Sequence, residues 1–208
     1  MLYLISDTHF YHKNIIKYCD RPEDFTAITI NEWNGIVEPE DDVLHLGDFA
    51  IGWNKDFPTK KDSYINLMKQ LNGSKYITLG NHDRESKTFY ENIGFSQVMS
   101  HTIMDIEEFE PKKVLFNHYP IEIDDEHMKP QLIEHIKNLK TLEFDYVVHG
   151  HTHRRIVGTP ITKFVGIVDG ILHFNCSVEV LGYRPISIVD IMQEFRVAEM
   201  LLNQNKNR

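Results

Sequence analysis

A chain of 208 residues, 41% hydrophobic and 25% charged, has the size and balance of one soluble globular domain with a core of its own. Its formal net charge of −9 sets its surface against phosphate backbones, so stable duplex nucleic-acid binding through a broad basic face is not expected. The two cysteines, Cys19 and Cys176, form no CxxC pair, which excludes a thiolate zinc site and reads as two reduced thiols of a cytosolic protein.

The opening Met1-Leu2-Tyr3-Leu4-Ile5-Ser6-Asp7 lacks the basic segment and cleavage site of a signal peptide, and no apolar run reaches the length of a membrane span. The expectation is a cytoplasmic protein with no membrane partner. Leu2 to Ile5 is a short apolar strand that runs straight into Ser6-Asp7-Thr8-His9. Asp7 and His9, two positions apart, can face the same way at the strand's end. A capped turn accounts for Ser6-Asp7 and gives no reason for His9. Asn14 to Tyr18 reads as a short helix, with His12 just ahead of it beside the site. Arg21-Pro22 closes the segment; Arg21 is either a phosphate contact or a solvated charge.

Glu23 to Val37 carries Ile28, Trp33, Ile36 and Val37 in the pattern of an amphipathic helix. Val43 to Leu46 is the next strand, with His45 as a hydrogen-bonded core residue and Gly47-Asp48 at its end. Phe49 to Asp62 has no clear period and reads as a loop over the cleft. Ser63 to Leu71 follows as a helix, capped by Asn72-Gly73. Lys75 to Leu79 forms a third strand, ending at Gly80-Asn81-His82-Asp83. After a short helix from Thr88 to Ile93, one strand is expected from Val98 to Ile106, then a turn over Glu107 to Pro111. Lys113 to Phe116 leads to Asn117-His118-Tyr119-Pro120, and an acidic loop from Glu122 to Glu126 precedes a helix from Pro130 to Leu139.

Phe144 to Val148 is the strand that delivers His149-Gly150-His151-Thr152-His153. Gly150 suits a turn and a close approach. Imidazoles two apart outside a strand's carboxyl end can point into one crevice, and neutral imidazole is the commonest metal ligand. Phe164 to Val168 and Ile171 to Val178, on either side of Asp169-Gly170, make a hairpin that brings Glu179 and Arg184 toward the cleft. Ser187 to Leu202 is a closing helix with Ser187 and Asp190 as its capping box, and Asn203 to Arg208 a frayed tail. No repeat or linker interrupts the chain.

In order, Asp7-x-His9, Gly47-Asp48, Gly80-Asn81-His82-Asp83, Asn117-His118 and Gly150-His151-Thr152-His153 each follow an apolar strand. Any one of them is weak evidence; five in this order are specific. They resemble the signature of the calcineurin-like metallophosphoesterases, with Asn117 where glycine is common. The flanks (His12-x-Asn14-Ile15-Ile16, Arg21-Pro22 and Tyr183-Arg184-Pro185) are similar to a branch of small bacterial and phage phosphoesterases.

That resemblance implies an α/β (α+β) fold, the four-layer αββα sandwich, in a single domain over residues 1–208. It implies two divalent metal ions, one held by Asp7, His9, Asp48 and His153, the other by Asp48, Asn81, His118 and His151, with Asp48 shared. Mixed nitrogen and oxygen ligands suit Mn²⁺, Fe, Ni²⁺ or Zn²⁺, with Mn²⁺ expected in vitro. His82 takes the place of the general acid, and Asp83 that of the group orienting its imidazole. His12, Arg21 and Arg154 are candidate substrate contacts; His149 and Arg154 support ligands or phosphate, or are structural.

The implied reaction is hydrolysis of a phosphomonoester or phosphodiester by metal-bound hydroxide. Two divalent cations against Asp7 and Asp48 leave positive charge for an anionic substrate, and the acidic chain favours a small or nucleotide-like one over long nucleic acid. Within the same fold the alternatives are a nuclease, a protein phosphatase or a non-catalytic metal-binding interaction scaffold. Every ligand position and His82 are present, which favours an enzyme over a scaffold.

Overall fold

Successive residues of a strand face opposite ways, and in the central strands both faces are apolar, so each needs cover on two sides. The computed structural model describes residues 1–107, 111–123 and 128–206. In chain order its elements are β1 (Leu2–Ile5), α1 (Ile15–Tyr18), α2 (Phe25–Asn34), β2 (Asp42–His45), α3 (Lys60–Gln70), β3 (Ser74–Thr78), α4 (Lys87–Ile93) and β4 (Gln97–Met99). There follow β5 (His101–Ile106), β6 (Lys112–Asn117), α5 (Pro130–Leu139), β7 (Tyr146–His149), β8 (Thr159–Pro160), β9 (Val165–Val168) and β10 (Ile171–Asn175). The chain ends with α6 (Val178–Leu181), β11 (Ile186–Ser187) and α7 (Ile188–Lys206).

Two sheets result, one in the order β11-β1-β2-β3-β4 and the other β5-β6-β7-β10-β9-β8. β1 to β4 run parallel, and so do β6, β7 and β10, while β11, β5 and β9 add antiparallel neighbours. The alternation sorts the core into three layers. Leu4, Leu44, Phe116, Val148 and Phe174 share one apolar cluster drawn from both sheets, with Phe195 of α7 against it. Their chain neighbours Ile5 and Val43 face the other way, onto Trp33, Tyr64 and Leu67 of α2 and α3. Leu115 and Val147 likewise face Ile136 and Leu139 of α5. Helices, sheet, sheet and helix thus stack as the αββα sandwich. Among the described residues no helix is long and apolar enough to cross a membrane.

The segment expected as one strand from Val98 to Ile106 is two. Gln97–Met99 pairs in parallel with β3, and His101–Ile106 pairs antiparallel with β6, so the chain changes sheets at Ser100. α3 begins three residues earlier than expected because Thr59 caps it, its hydroxyl accepting from the Asp62 N–H at 3.1 Å. It ends at Leu71 in extended backbone, and Gly73, at φ 83°, turns the chain into β3 rather than capping the helix. The last strand of the hairpin stops at Asn175, and Val178 opens the short α6 instead. Ser187 and Asp190 do cap α7, which continues through the expected tail to Lys206. Parts of the expected turn at 107–111 and acidic loop at 122–126 lie outside the described residues.

Candidate metal centre

The loops that leave β1, β2 and β7 at this end turn sharply on residues other than glycine. Asp7, His9, Asp48, His151 and His153 all have φ between 48° and 66°, five of the nine non-glycine residues in that region among the described ones. Left-handed backbone costs an L-residue about 1–2 kcal/mol, and such strain gathers where surrounding structure holds a functional side chain in place. Glycines make room for the loops to meet. A Cβ on Gly150 would overlap Ser6 Oγ and Asp7 Oδ2, and one on Gly47 would sit 2.6 Å from Gly80 N and 2.7 Å from His118 Nδ1.

The loops converge. Ligand atoms of Asp7, His9 and His153 lie within 4.8 Å of one another, and so do those of Asp7, Asp48 and His118. Asp48 Oδ2 stands between the two groups, 3.5 Å from His9 Nε2 and 3.6 Å from His118 Nε2, while its Oδ1 accepts from the His82 N–H at 2.8 Å. Asp7 Oδ2 accepts from the His151 N–H at 2.9 Å and Ser177 Oγ at 3.0 Å. Its Oδ1 is buried with no hydrogen-bond partner among the described residues, as are both ring nitrogens of His9. His118 Nδ1 donates to the Leu46 carbonyl at 2.8 Å, which leaves the Nε2 lone pair aimed at Asn81 Oδ1, 3.1 Å away. The His151 ring packs against those of His118 and Tyr119, with centroids 5.1 and 4.8 Å distant.

These groups fit a divalent cation. Buried polar atoms normally have partners, and here a carboxylate oxygen and two ring nitrogens have none, while acceptor faces acceptor at His118 and Asn81. A cation between them relieves both. The electrostatics agree. Burial, with Asp7 and Asp83 adding to it, pushes the Asp48 carboxyl up to about 7. Asp7, despite its burial, is held below the ordinary carboxylate range by His118, His153 and His9. Burial lowers His151 to about 4, so that imidazole is neutral and able to ligate near pH 7. Cys19, His153 and Glu179 also approach one another, but burial and then Glu179 raise the Cys19 thiol to about 11, which makes it a poor thiolate donor.

Of the other expected site residues, His82 and His12 border the centre, half-exposed, their ring centroids 5.3 and 5.4 Å from that of His9. Burial and Arg84 lower the His82 pKa. Arg154 is exposed and donates to the Asp20 carbonyl at 3.2 Å. Two expectations need correction. Asp83 does not orient His82: its oxygens accept from the backbone N–H groups of Asp48 (2.6 Å), Gly80 (2.9 Å) and Phe49 (3.1 Å), so it fastens the Asp48 loop to its own. Arg21 is no substrate contact. Its side chain is fully buried and donates to the carbonyls of Asp7 at 2.6 Å and Thr8 at 2.8 Å.

Arg21 also meets the residue that the sequence marked least, Glu179 at the start of α6. Glu179 Oε1 accepts from Arg21 Nε at 2.9 Å and Nη2 at 2.6 Å, and from His153 Nδ1 at 3.0 Å. The carboxylate thereby ties the Asp7–His9 loop to His153 and sets the imidazole's tautomer, leaving the Nε2 lone pair free for a cation. Only its place after the late hairpin hinted at this. Arg184 instead borders a groove with Met1, Tyr3 and Phe164, away from every motif residue. His149 donates from Nδ1 to the Gly150 carbonyl at 2.7 Å and is buried behind the loop. His45 lies between Thr8 Oγ1 and the Gly47 N–H, the hydrogen-bonded core residue expected of it.

Comparison with known proteins gives concordant results. The family model "Calcineurin-like phosphoesterase" matches residues 2–155, a span that contains all five motifs. The uncharacterized protein MJ1445 of Methanocaldococcus jannaschii is 30% identical over 208 residues, covering 96% of each chain. The crystal structure of the protein of unknown function AQ665 from Aquifex aeolicus superposes with a TM-score of 0.72 at 29% identity, over 93% of this chain and 98% of that one. With two facing sheets, strand-end ligands in one cluster and a model match across most of its length, the chain belongs to the calcineurin-like phosphoesterase family.

Proposed function

We propose that this protein is a phosphoesterase dependent on two divalent metal ions, hydrolysing a small or nucleotide-like phosphomonoester or phosphodiester. The observation that carries the reading is the single oxygen, Asp48 Oδ2, placed between His9 Nε2 and His118 Nε2 at 3.5 and 3.6 Å, as a carboxylate shared by two cations requires. Asp7, His9, Asp48 and His153 would hold one ion, and Asp48, Asn81, His118 and His151 the other. Two such ions, when bound, clamp the phosphate and lower the pKa of water.

The chain's own groups do the rest. His82 stands at the rim on a loop pinned through Asp83 and through its own N–H to Asp48 Oδ1. From there its imidazole delivers a proton to the leaving oxygen, the role of a general acid. Burial of Asp7, Asp48 and His118, each no more than 2% exposed, keeps water from screening the charges that meet the substrate. Mn²⁺ is the ion proposed for assay.

Hydrolysis of bis-p-nitrophenyl phosphate and p-nitrophenyl phosphate with Mn²⁺ tests the reading, in the wild type and in His82→Ala and Asp48→Asn. Loss of one general acid lowers the rate by about 10²–10⁴-fold, and Asp48→Asn abolishes metal-dependent turnover. Turnover that survives both substitutions, or a wild type inert toward both esters with every metal of the mixed-ligand set, overturns it.

A further inference from the structure

A cavity of about 950 Å³ opens beside Asn81 and His151, large enough for a nucleotide-sized ligand. It exists because of the change of sheet at Ser100. β4 ends there against β3, β5 departs into the second sheet, and the gap is roofed by α5 and by the loop leading into α4. Its apolar lining includes Leu79, Val98, Met99 and Leu132, with the Tyr119 ring at the edge nearest the metal centre. Among the described residues its charged lining is Arg84, Lys87, Lys129 and Arg155 against a single carboxylate, Glu122. That acid is already paired, with Arg155 Nη2 at 2.7 Å. Arg84 and Lys129 are exposed and make no ion pair among the described residues. Lys87 faces Glu91 at 3.8 Å, so in a chain of formal net charge −9 Arg84 and Lys129 are left as the uncompensated cations of this apolar cavity among the described residues, a local positive field that draws anions.

We propose that this cavity binds the organic part of the substrate, and that the substrate is a phosphoester joining an apolar ring system to at least one anionic group besides the phosphate being cleaved. The inference rests on the phosphoesterase reading above and deepens it. The phosphate under attack belongs at the Asn81–His151 edge. The ring lies on Leu79, Met99 and Leu132, whose apolar surface a bare sugar or a simple phosphate would leave wet. The further anion meets Arg84 and Lys129, the two cations of the lining that make no ion pair among the described residues.

The test uses three probes of graded chemistry: inorganic phosphate, adenosine 5′-monophosphate and adenosine 3′,5′-bisphosphate. Each competes against bis-p-nitrophenyl phosphate in the Mn²⁺-loaded protein, and each is also titrated calorimetrically. The bisphosphate should bind tightest and inorganic phosphate weakest, with at least about a tenfold span between them, or roughly 1.4 kcal/mol. Arg84→Ala combined with Lys129→Ala, both on the surface, should close the gap between the two nucleotides. Leu132→Glu should bring both nucleotides toward inorganic phosphate. Equal constants for the three probes, or ratios unmoved by either variant, overturn the proposal. A wild type that binds the probes in the stated order but cleaves no ester refutes the phosphoesterase reading and leaves the cavity's preference established.

Discussion

Glu179→Gln removes one negative charge from a fully buried ion pair and leaves the shape of the side chain almost unchanged. In the wild type one carboxylate oxygen accepts from both the Arg21 guanidinium, at 2.9 and 2.6 Å, and His153 Nδ1, at 3.0 Å. Both members of the pair are 0% exposed. Removing one partner of a buried pair costs about 3–5 kcal/mol. Arg21 still holds the Asp7 and Thr8 carbonyls, which places the loss near the lower end, about 3 kcal/mol. In a chain of this length that lowers Tm by about 6–12 °C. A carboxylate behind a metal-ligating imidazole contributes about 10–100-fold in metal affinity, so Mn²⁺ binding should weaken by that factor. Melting curves in chelator and calorimetric Mn²⁺ titration measure the two losses separately. The companion variant Arg21→Met with Glu179→Leu removes both buried charges but also strips the Asp7 and Thr8 carbonyls of their donor, so it should regain only part of the stability and none of the affinity, because His153 has still lost its acceptor. Mn²⁺ affinity within twofold of wild type in Glu179→Gln would refute the reasoning, as would a double variant that recovers affinity together with stability.

Gly150→Ala places a methyl group onto Ser6 Oγ and Asp7 Oδ2; overpacking of this kind costs about 1–3 kcal/mol, and the displaced Asp7 should weaken Mn²⁺ binding in the same titration. The metal-free protein should lose stability on acidification. Burial holds His45 near 3 and His149 and His151 near 4 in the fold, below the ordinary imidazole value, so the unfolded chain binds the extra protons and stability falls as pH drops from about 6.5 toward 4. Asp48, raised to about 7, acts in the opposite sense, losing stability as pH rises across that range, but one carboxyl faces three imidazoles. Each net proton is worth about 1.4 kcal/mol per pH unit; urea denaturation in chelator at pH 7, 6 and 5 measures the slope, and a flat or inverted profile contradicts the assignment of these imidazoles as neutral.

What the sequence discloses about this centre, and what it conceals, divides along a physical line. That the loops bearing Asp7, His9, Asp48, Asn81, His118, His151 and His153 converge could be expected because each follows an apolar run, and a buried parallel strand writes that run locally. The layers follow from the same alternation, since Ile5 beside Leu4 and Val147 beside Val148 must face opposite ways. The change of sheet at Ser100 leaves no such trace, because Val98 to Ile106 keeps one strand-like character while its pairing partner changes from β3 to β6. Partners are a property of topology, and periodicity records only burial.

The residues that hold the ligands are concealed for the same reason. Asp83 stands beside His82 in the chain, yet it serves backbone amides 34 and 35 positions away, at Phe49 and Asp48. Arg21 and Glu179 are 158 positions apart, and each alone resembles a solvated charge. Their pairing also braces the left-handed backbone at Asp7 and His153. A loop strained at several residues stays folded only when contacts from elsewhere in the chain outweigh the strain. The Asp7 and Thr8 carbonyls clasped by Arg21, with His153 tied through Glu179, are such contacts. The centre's candidate ligands are therefore specified locally and its rigidity is specified at long range. It follows that substitutions at Arg21 or Glu179, outside both expected ligand sets, should act on metal affinity as well as on folding.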